Sequence, residues 1–179
     1  MQDQADSSET RFDAAELSAR GLRYARAFTA ELVLQLGVQV RGVVVFGSCA
    51  RGDARLGSDI DMVVVTDPRD SKSSVAITAT YLALRDGREE QELLSAALNP
   101  LPSVVEFSAE AFAEHPWLLV DVATDGIVLR DTADGFIVNH LEQVKARLRA
   151  YGSYRVDAPD GSWFWELKPG MRPGEEIRI

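Results

Sequence analysis

The sequence predicts an α/β (α+β) domain, a small mixed β-sheet flanked by helices, on three observations. Short valine-rich apolar runs, "VQVRGVVVF", "DIDMVVVTD" and "SVVEFS", are bounded by Gly, Pro, Asp or Ser and read as strands. Longer segments between them carry apolar residues at helical spacing. Helices and strands alternate along the chain, as expected of one sheet with helices packed against it. A chain of 179 residues, 46% hydrophobic and 26% charged, is long enough to bury a core and has the composition of a soluble globular domain.

Residues 1–10 read as a flexible leader, and the folded domain is expected over 11–150. From about Asp13 to Leu36, Leu17, Tyr24, Phe28, Leu32 and Leu36 fall on one helical face, with Gly37 as the stop. "VQVRGVVVF" is the first strand, "GSCARGDARLGS" a loop with a short helical turn, and "DIDMVVVTD" a second strand closed by Pro68. A helix or helix pair covers roughly Ser73 to Leu98, with Gly87 as the interruption, and "NPLP" breaks it before the third strand, "SVVEFS". "SAEAFAEH" opens with a capping-type Ser108 and stops at Pro116. "WLLVDVATDG" reads as a helix, "IVLRD" as a strand, and Thr132 to Ala150 as a last helix with Phe136, Ile137, His140, Leu141, Val144 and Leu148 along one side. Composition then shifts. Residues 151–179 form a C-terminal extension holding two of the three tryptophans, Trp163 and Trp165.

A net charge of −9 argues against a sequence-independent nucleic-acid binder, which needs a basic face for phosphates. It leaves room for a small anionic ligand, because a bound divalent cation reverses the local sign of a site. One cysteine, Cys49, gives no intramolecular disulfide, and two histidines give no Cys/His zinc cluster. The N-terminus lacks an apolar signal-peptide core, and no apolar run approaches the ~18 residues of a spanning helix. The expected location is the cytoplasm, with no membrane partner.

The chemistry concentrates in "VVVFGSCARGDARLGSDIDMVVV", Val43 to Val65. Side chains alternate along a strand, so Asp59 and Asp61 project together while Ile60 and Met62 face the core. Two adjacent carboxylates repel, and a divalent cation with hard oxygen ligands relieves the repulsion. Mg²⁺ suits one or two carboxylates completed by waters and substrate phosphates. Alone, a D-x-D reads more readily as a turn cap followed by a solvated strand-end residue. The loop upstream changes the weight: Gly47 lets backbone amides approach a phosphate, and Ser48 adds a hydroxyl at the start of a helical turn. A phosphate cradle beside a metal-binding acid pair is what phosphoryl or nucleotidyl transfer needs. The P-loop pattern G-x-x-x-x-G-K-[ST] is absent.

Gly47-Ser48, ten residues, then Asp59-Ile60-Asp61 resembles the G-S-x10-D-x-D signature of the minimal nucleotidyltransferases of the DNA polymerase β superfamily. "GSCARGDARLGSDIDMVVV" matches their usual form at nearly every defined position. From Ile77 onward the likeness is of layout more than of letters. The resemblance implies a polymerase-β-like nucleotidyltransferase fold and a nucleoside triphosphate substrate, ATP favoured, with Mg²⁺ or Mn²⁺. It implies transfer of a nucleoside monophosphate to a hydroxyl, with pyrophosphate released. Ser48 would hold the triphosphate, and Asp59 and Asp61 the metal. The family also places a third carboxylate on a later strand. The candidate here is Glu106, a departure from the usual Asp, serving as metal ligand or as general base. Its other reading is an edge-strand glutamate reaching solvent.

Arg51 either pairs with triphosphate oxygens or bridges to Asp53 or another acid of the loop. Ser58 caps the start of the strand and is counted with Gly47, Ser48 and Arg51 in the nucleotide-binding set. Cys49 reads as a small packed side chain, His140 as a half-buried helix residue, and Arg20, Arg23 and Arg26 as a solvated face. The Trp-rich tail packs on the domain's own sheet or last helix, forms a homodimer contact, or covers the nucleotide or acceptor. Three functions follow. The first is a working nucleotidyltransferase acting on a small molecule or protein hydroxyl. The second is an antitoxin that binds or adenylylates a HEPN-type ribonuclease. The third is a nucleotide-binding module that has lost catalysis.

Overall fold

Asp13 starts the first helix: its carboxylate accepts the Glu16 amide at 2.8 Å, and α1 runs over Ala14–Leu36. In the computed structural model, residues 12–159, 162–172 and 174–178 are described. The leader expected over 1–10 lies outside them. Gly37, at φ 58°, ends α1 and opens a single 3₁₀ turn into β1, Val40–Phe46. A five-residue helix, α2 (Gly47–Arg51), follows directly, and β2 spans Asp61–Thr66. Of the single helix or helix pair expected next, the structure has the pair, α3 (Ser71–Leu84) and α4 (Arg88–Ser95). α3 starts two residues early because Asp70 and Ser73 form a reciprocal capping box. β3 (Ser103–Ser108), α5 (Ala109–Ala113), α6 (Leu119–Asp125) and β4 (Ile127–Arg130) come next.

The last helix, α7, covers Phe136–Tyr151 and so begins four residues later than its apolar pattern suggests. Asp131 sets that start from outside the helix, its two carboxylate oxygens accepting the amides of Ile137 and Val138 at 2.9 and 3.0 Å. The tail, for which periodicity gives no secondary structure, forms an antiparallel hairpin of β5 (Tyr154–Asp157) and β6 (Trp163–Glu166).

The main sheet has the order β3-β2-β1-β4. β1 is antiparallel to β2 and β4, and β2 is parallel to β3. The two central strands are buried on both faces, which is why they read as continuous valine runs. On one face Val43, Val45, Met62 and Val64 pack with α1, α3 and α4 through Tyr24, Phe28, Leu32 and Leu93. On the other, Val44, Val63 and Val65 pack with α5, α6 and α7 through Phe112, Leu119, Val122, Ile137 and Leu141. His140 lies at the edge of this second core, its Nδ1 2.8 Å from His115 Nε2 and its ring 4.7 Å from that of Phe136.

The tail's contacts are with the second face. The Trp165 indole N–H donates to Asp121 Oδ1 at 2.9 Å, and Trp165, Leu167 and Ile177 pack against that core. Among the described residues no helix is long and apolar enough to cross a membrane.

Candidate active site

The register of the sheet decides which side chains can meet. Along β2 the residues alternate between cores, so Asp61 shares the face of Val63 and Val65. Its carboxylate lies against the start of α2. A Cβ added at Gly47 would come within 2.5 Å of Asp61 Oδ2, and Gly47 holds φ at 71°. Only glycine accommodates both the conformation and the approach. Phe46 pairs with Asp61 across the β1–β2 ladder, so the end of β1, the first turn of α2 and the start of β2 form one corner.

Asp59 precedes β2 instead of lying in it. Its Oδ1 accepts from Asn99 Nδ2 at 2.6 Å, and its backbone carbonyl accepts from the Cys49 thiol at 3.6 Å. Asp61 feels the Asp59 charge. Burial pushes the Asp61 pKa above the ordinary carboxylate value; the Ser103 hydroxyl counteracts this by hydrogen bonding, the Asp59 charge adds to it and the Arg51 charge opposes it. An acid pair strained in this way favours a cation. Asp59 and Ser103 are exposed, so the pair opens to solvent.

Ser48 is half-buried at the second position of α2. Arg51, last in that helix, bridges to Asp53 Oδ2 at 3.1 Å and to Asp125 Oδ2 at 3.7 Å, with its guanidinium 5.9 Å from the centre of the Trp163 ring. The predicted bridge to Asp53 is therefore present, and Arg51 also acts electrostatically on Asp61. Ser58 serves its own loop: its hydroxyl accepts the Arg55 amide at 2.9 Å.

The nucleotidyltransferase domain family matches residues 29–129, more than half of the chain, and that span contains α2, β2 and β3. The chain belongs to this family. No curated protein matches this nucleotidyltransferase. Solved structures similar to it include a toxin–antitoxin with AMP-PNP, at 17% identity over 71% of this chain and 92% of the other, with a TM-score of 0.40. A Sulfolobus solfataricus structure, titled as a putative nucleotidyltransferase, is 18% identical over 73% and 99%, with a TM-score of 0.42. A third is a tri-AMPylated Shewanella oneidensis HEPN toxin in complex with an MNT antitoxin, at 15% identity over 76% and 92%, with a TM-score of 0.35.

One expected site residue is not brought to the corner. Glu106 pairs with Val64, whereas Asp61 pairs with Ser103, so Glu106 stands three positions along β3, roughly 10 Å away. It also points to the opposite face, toward α1 and α3. There it is a satisfied carboxylate, accepting from Thr66 at 3.0 Å, from Ser74 at 2.9 Å and from Ser73, with Arg69 at 3.5 Å. Its side chain is 9% exposed, so neither the ligand, the base nor the solvent reading holds. It ties β2, β3 and the start of α3 together. Glu106→Gln is expected to leave transfer within about threefold of wild type while lowering stability by roughly 1–3 kcal/mol, the scale of losing charged acceptors to buried donors. Steady-state assay beside chemical unfolding checks this, and a hundredfold loss of rate in a folded variant would return Glu106 to the site.

The residues that do flank the pair, Asn99 and Ser103, escaped the sequence reading. "NPLP" signals a chain break, and nothing in it shows that the Asn amide holds Asp59. Parallel β2–β3 pairing, which aligns Ser103 with Asp61, is equally invisible in one sequence. Asp125 and Trp163, both partners of Arg51, are remote in sequence. Cys49 is buried, with its pKa pushed up to about 11 chiefly by burial, and fits against Gly21, where a Cβ would lie 2.6 Å from its Sγ. It joins α1 to α2 as packing.

The donor set fits a hard divalent cation: two carboxylates, one of them raised in pKa and lacking a strong counter-charge, at a corner where a Cβ is excluded. No group of three or more His, Cys, Asp or Glu suited to a metal occurs among the described residues. Two protein carboxylates would thus hold the ion, with waters and substrate oxygens completing its shell.

Proposed function

We propose that this nucleotidyltransferase is of the G-S-x10-D-x-D type and transfers a nucleoside monophosphate from a triphosphate, ATP favoured, to a hydroxyl on a small molecule or protein. The observation that carries the reading is the closeness of Gly47 to Asp61, which sets the amides and hydroxyl of the α2 start against the carboxylate pair. In the reaction the acceptor oxygen bonds to the α-phosphorus and the bond to the bridging oxygen breaks, releasing pyrophosphate. Mg²⁺ held by Asp59 and Asp61 would neutralise the phosphate oxygens. Gly47 and Ser48 bind the triphosphate, and Asn99 orients Asp59. Arg51 turns from Asp53 and Asp125 to the phosphates. Among the described residues no third carboxylate stands beside the pair, and the acceptor's proton passes to that pair or to a base the acceptor brings.

The motif also supports an antitoxin role, with a tyrosine or other hydroxyl of a HEPN-type ribonuclease as acceptor. Calorimetric titration with a non-hydrolysable ATP analogue, with and without Mg²⁺, tests the shared core of both readings. Metal-dependent binding that disappears in the Asp59→Asn/Asp61→Asn double variant is expected. Absence of binding by the folded wild type would overturn the nucleotide reading.

A further inference from the structure

The tail carries two tryptophans with different surroundings. Trp165 is an anchor, packed against the second core and bonded to Asp121. Trp163, two residues earlier on β6, projects to the same side of the hairpin, and its ring stands perpendicular to that of Trp165 at 6.5 Å. It is half-buried and belongs to neither core. Its other ring neighbours are two guanidinium groups, those of Arg51 at 5.9 Å and Arg155 at 5.4 Å.

Arg51 makes this placement informative. It lies at the end of the helix whose start forms the phosphate corner, and its charge acts on Asp61. Gly47 and Arg51 are four residues apart, about 6 Å along the helix. Trp163 therefore lies one short helix beyond the phosphate corner, beside α6 on the face of the sheet that Asp61 shares. A flat aromatic surface at that distance from a triphosphate site, separated from it by an arginine, matches a ligand with phosphates at one end and a planar ring at the other.

We propose that Trp163 is the stacking surface for the base of the nucleotide, supplied by the C-terminal hairpin, with Arg51 set between base and triphosphate. The inference rests on the nucleotidyltransferase reading above and adds the segment that recognises the nucleoside. Arg51 leaves the indole when it engages the phosphates, and the base takes the freed ring face. Because every base has a π-face, Trp163 contributes affinity with little choice among bases.

The test compares two probes by calorimetry in the presence of Mg²⁺: AMP-PNP, which carries a base, and inorganic tripolyphosphate, which does not. Trp163→Ala is expected to weaken AMP-PNP binding about tenfold, within the range measured for loss of one base–aromatic stack. Tripolyphosphate should bind it as it binds wild type, and Trp163→Phe should restore AMP-PNP binding to within about threefold. AMP-PNP affinity of Trp163→Ala within twofold of wild type, with both probes binding, would overturn the inference and leave the nucleotidyltransferase reading intact. Equal weakening of both probes would overturn it too, making Trp163 a support for the phosphate corner. If neither probe binds the folded wild type, the parent reading fails and this inference with it.

Discussion

Asp61→Asn is expected to remove nucleotidyl transfer and, in the same protein, to raise the thermal stability of the metal-free state at neutral pH. The loss of rate should be on the order of 10³-fold, about 4 kcal/mol, because the divalent cation that Asp61 would hold on the proposed reading is what neutralises the charge developing on the phosphate oxygens in the transition state. The gain in stability has a different origin. Burial first, with the Asp59 charge adding to it, favours the neutral form of Asp61 in the folded chain. The folded protein thus binds the Asp61 proton more tightly than the unfolded chain does. The resulting stability is fully present below the unfolded carboxylate pKa near ~3.9 and is lost as pH rises through the raised folded value. Asparagine carries no such dependence. Thermal unfolding from acid to neutral pH should therefore show the variant level with wild type at the acid end and ahead of it at pH 7, with Mg²⁺ stabilising wild type alone. A variant less stable at pH 7, or one that keeps turnover, would separate Asp61 from the metal.

Gly47→Ala should produce the second largest effect, and Gly52→Ala is its control. Both glycines occupy the left-handed region, at φ 71° and 81°, so an alanine costs about 1–2 kcal/mol of backbone strain at either. Only at Gly47 does the new Cβ meet something, Asp61 Oδ2 at 2.5 Å and Asp61 Cγ at 3.3 Å; at Gly52 nothing lies within 4 Å. Displacing the carboxylate by a fraction of an ångström to an ångström is expected to lower kcat about 10²-fold. Gly52→Ala should keep its rate while losing similar stability. Equal rate losses in the two variants would mean that Gly47 acts through the backbone alone.

Much of this fold could be read in the sequence because its signals are local. The apolar spacing of α1, the valine runs of β1 and β2, and the cap Ser108 each involve residues a few positions apart. The Gly47–Asp61 corner was legible for a related reason: both ends of the motif sit on one continuous strand–helix–strand segment. Glu106 shows where such reading stops. Its sequence neighbours are apolar, as those of a site carboxylate would be, but only the parallel register of β3 on β2 reveals which face it takes and which serines it bonds. The hairpin is silent in the sequence because β5 and β6 are four residues each, and their stability comes from Trp165 docking on α6, a contact 44 residues away in sequence. The start of α7 is hidden from local pattern because its cap, Asp131, acts across an intervening turn.

The strand order β3-β2-β1-β4 also has a consequence for synthesis of the chain. The two oldest strands occupy the middle of the sheet, and α1, α3 and α4 can cover one face of it early. The opposite face, with Val44, Val63 and Val65, is covered only when α5, α6 and α7 have left the ribosome. Roughly 70 residues separate the end of β2 from the start of α7, which at ordinary elongation rates is roughly 4–14 s. In the later part of that interval, once α3 and α4 have emerged, the nascent chain presents one covered sheet face and one bare apolar face, the state in which aggregation or capture by a holdase competes most directly with folding.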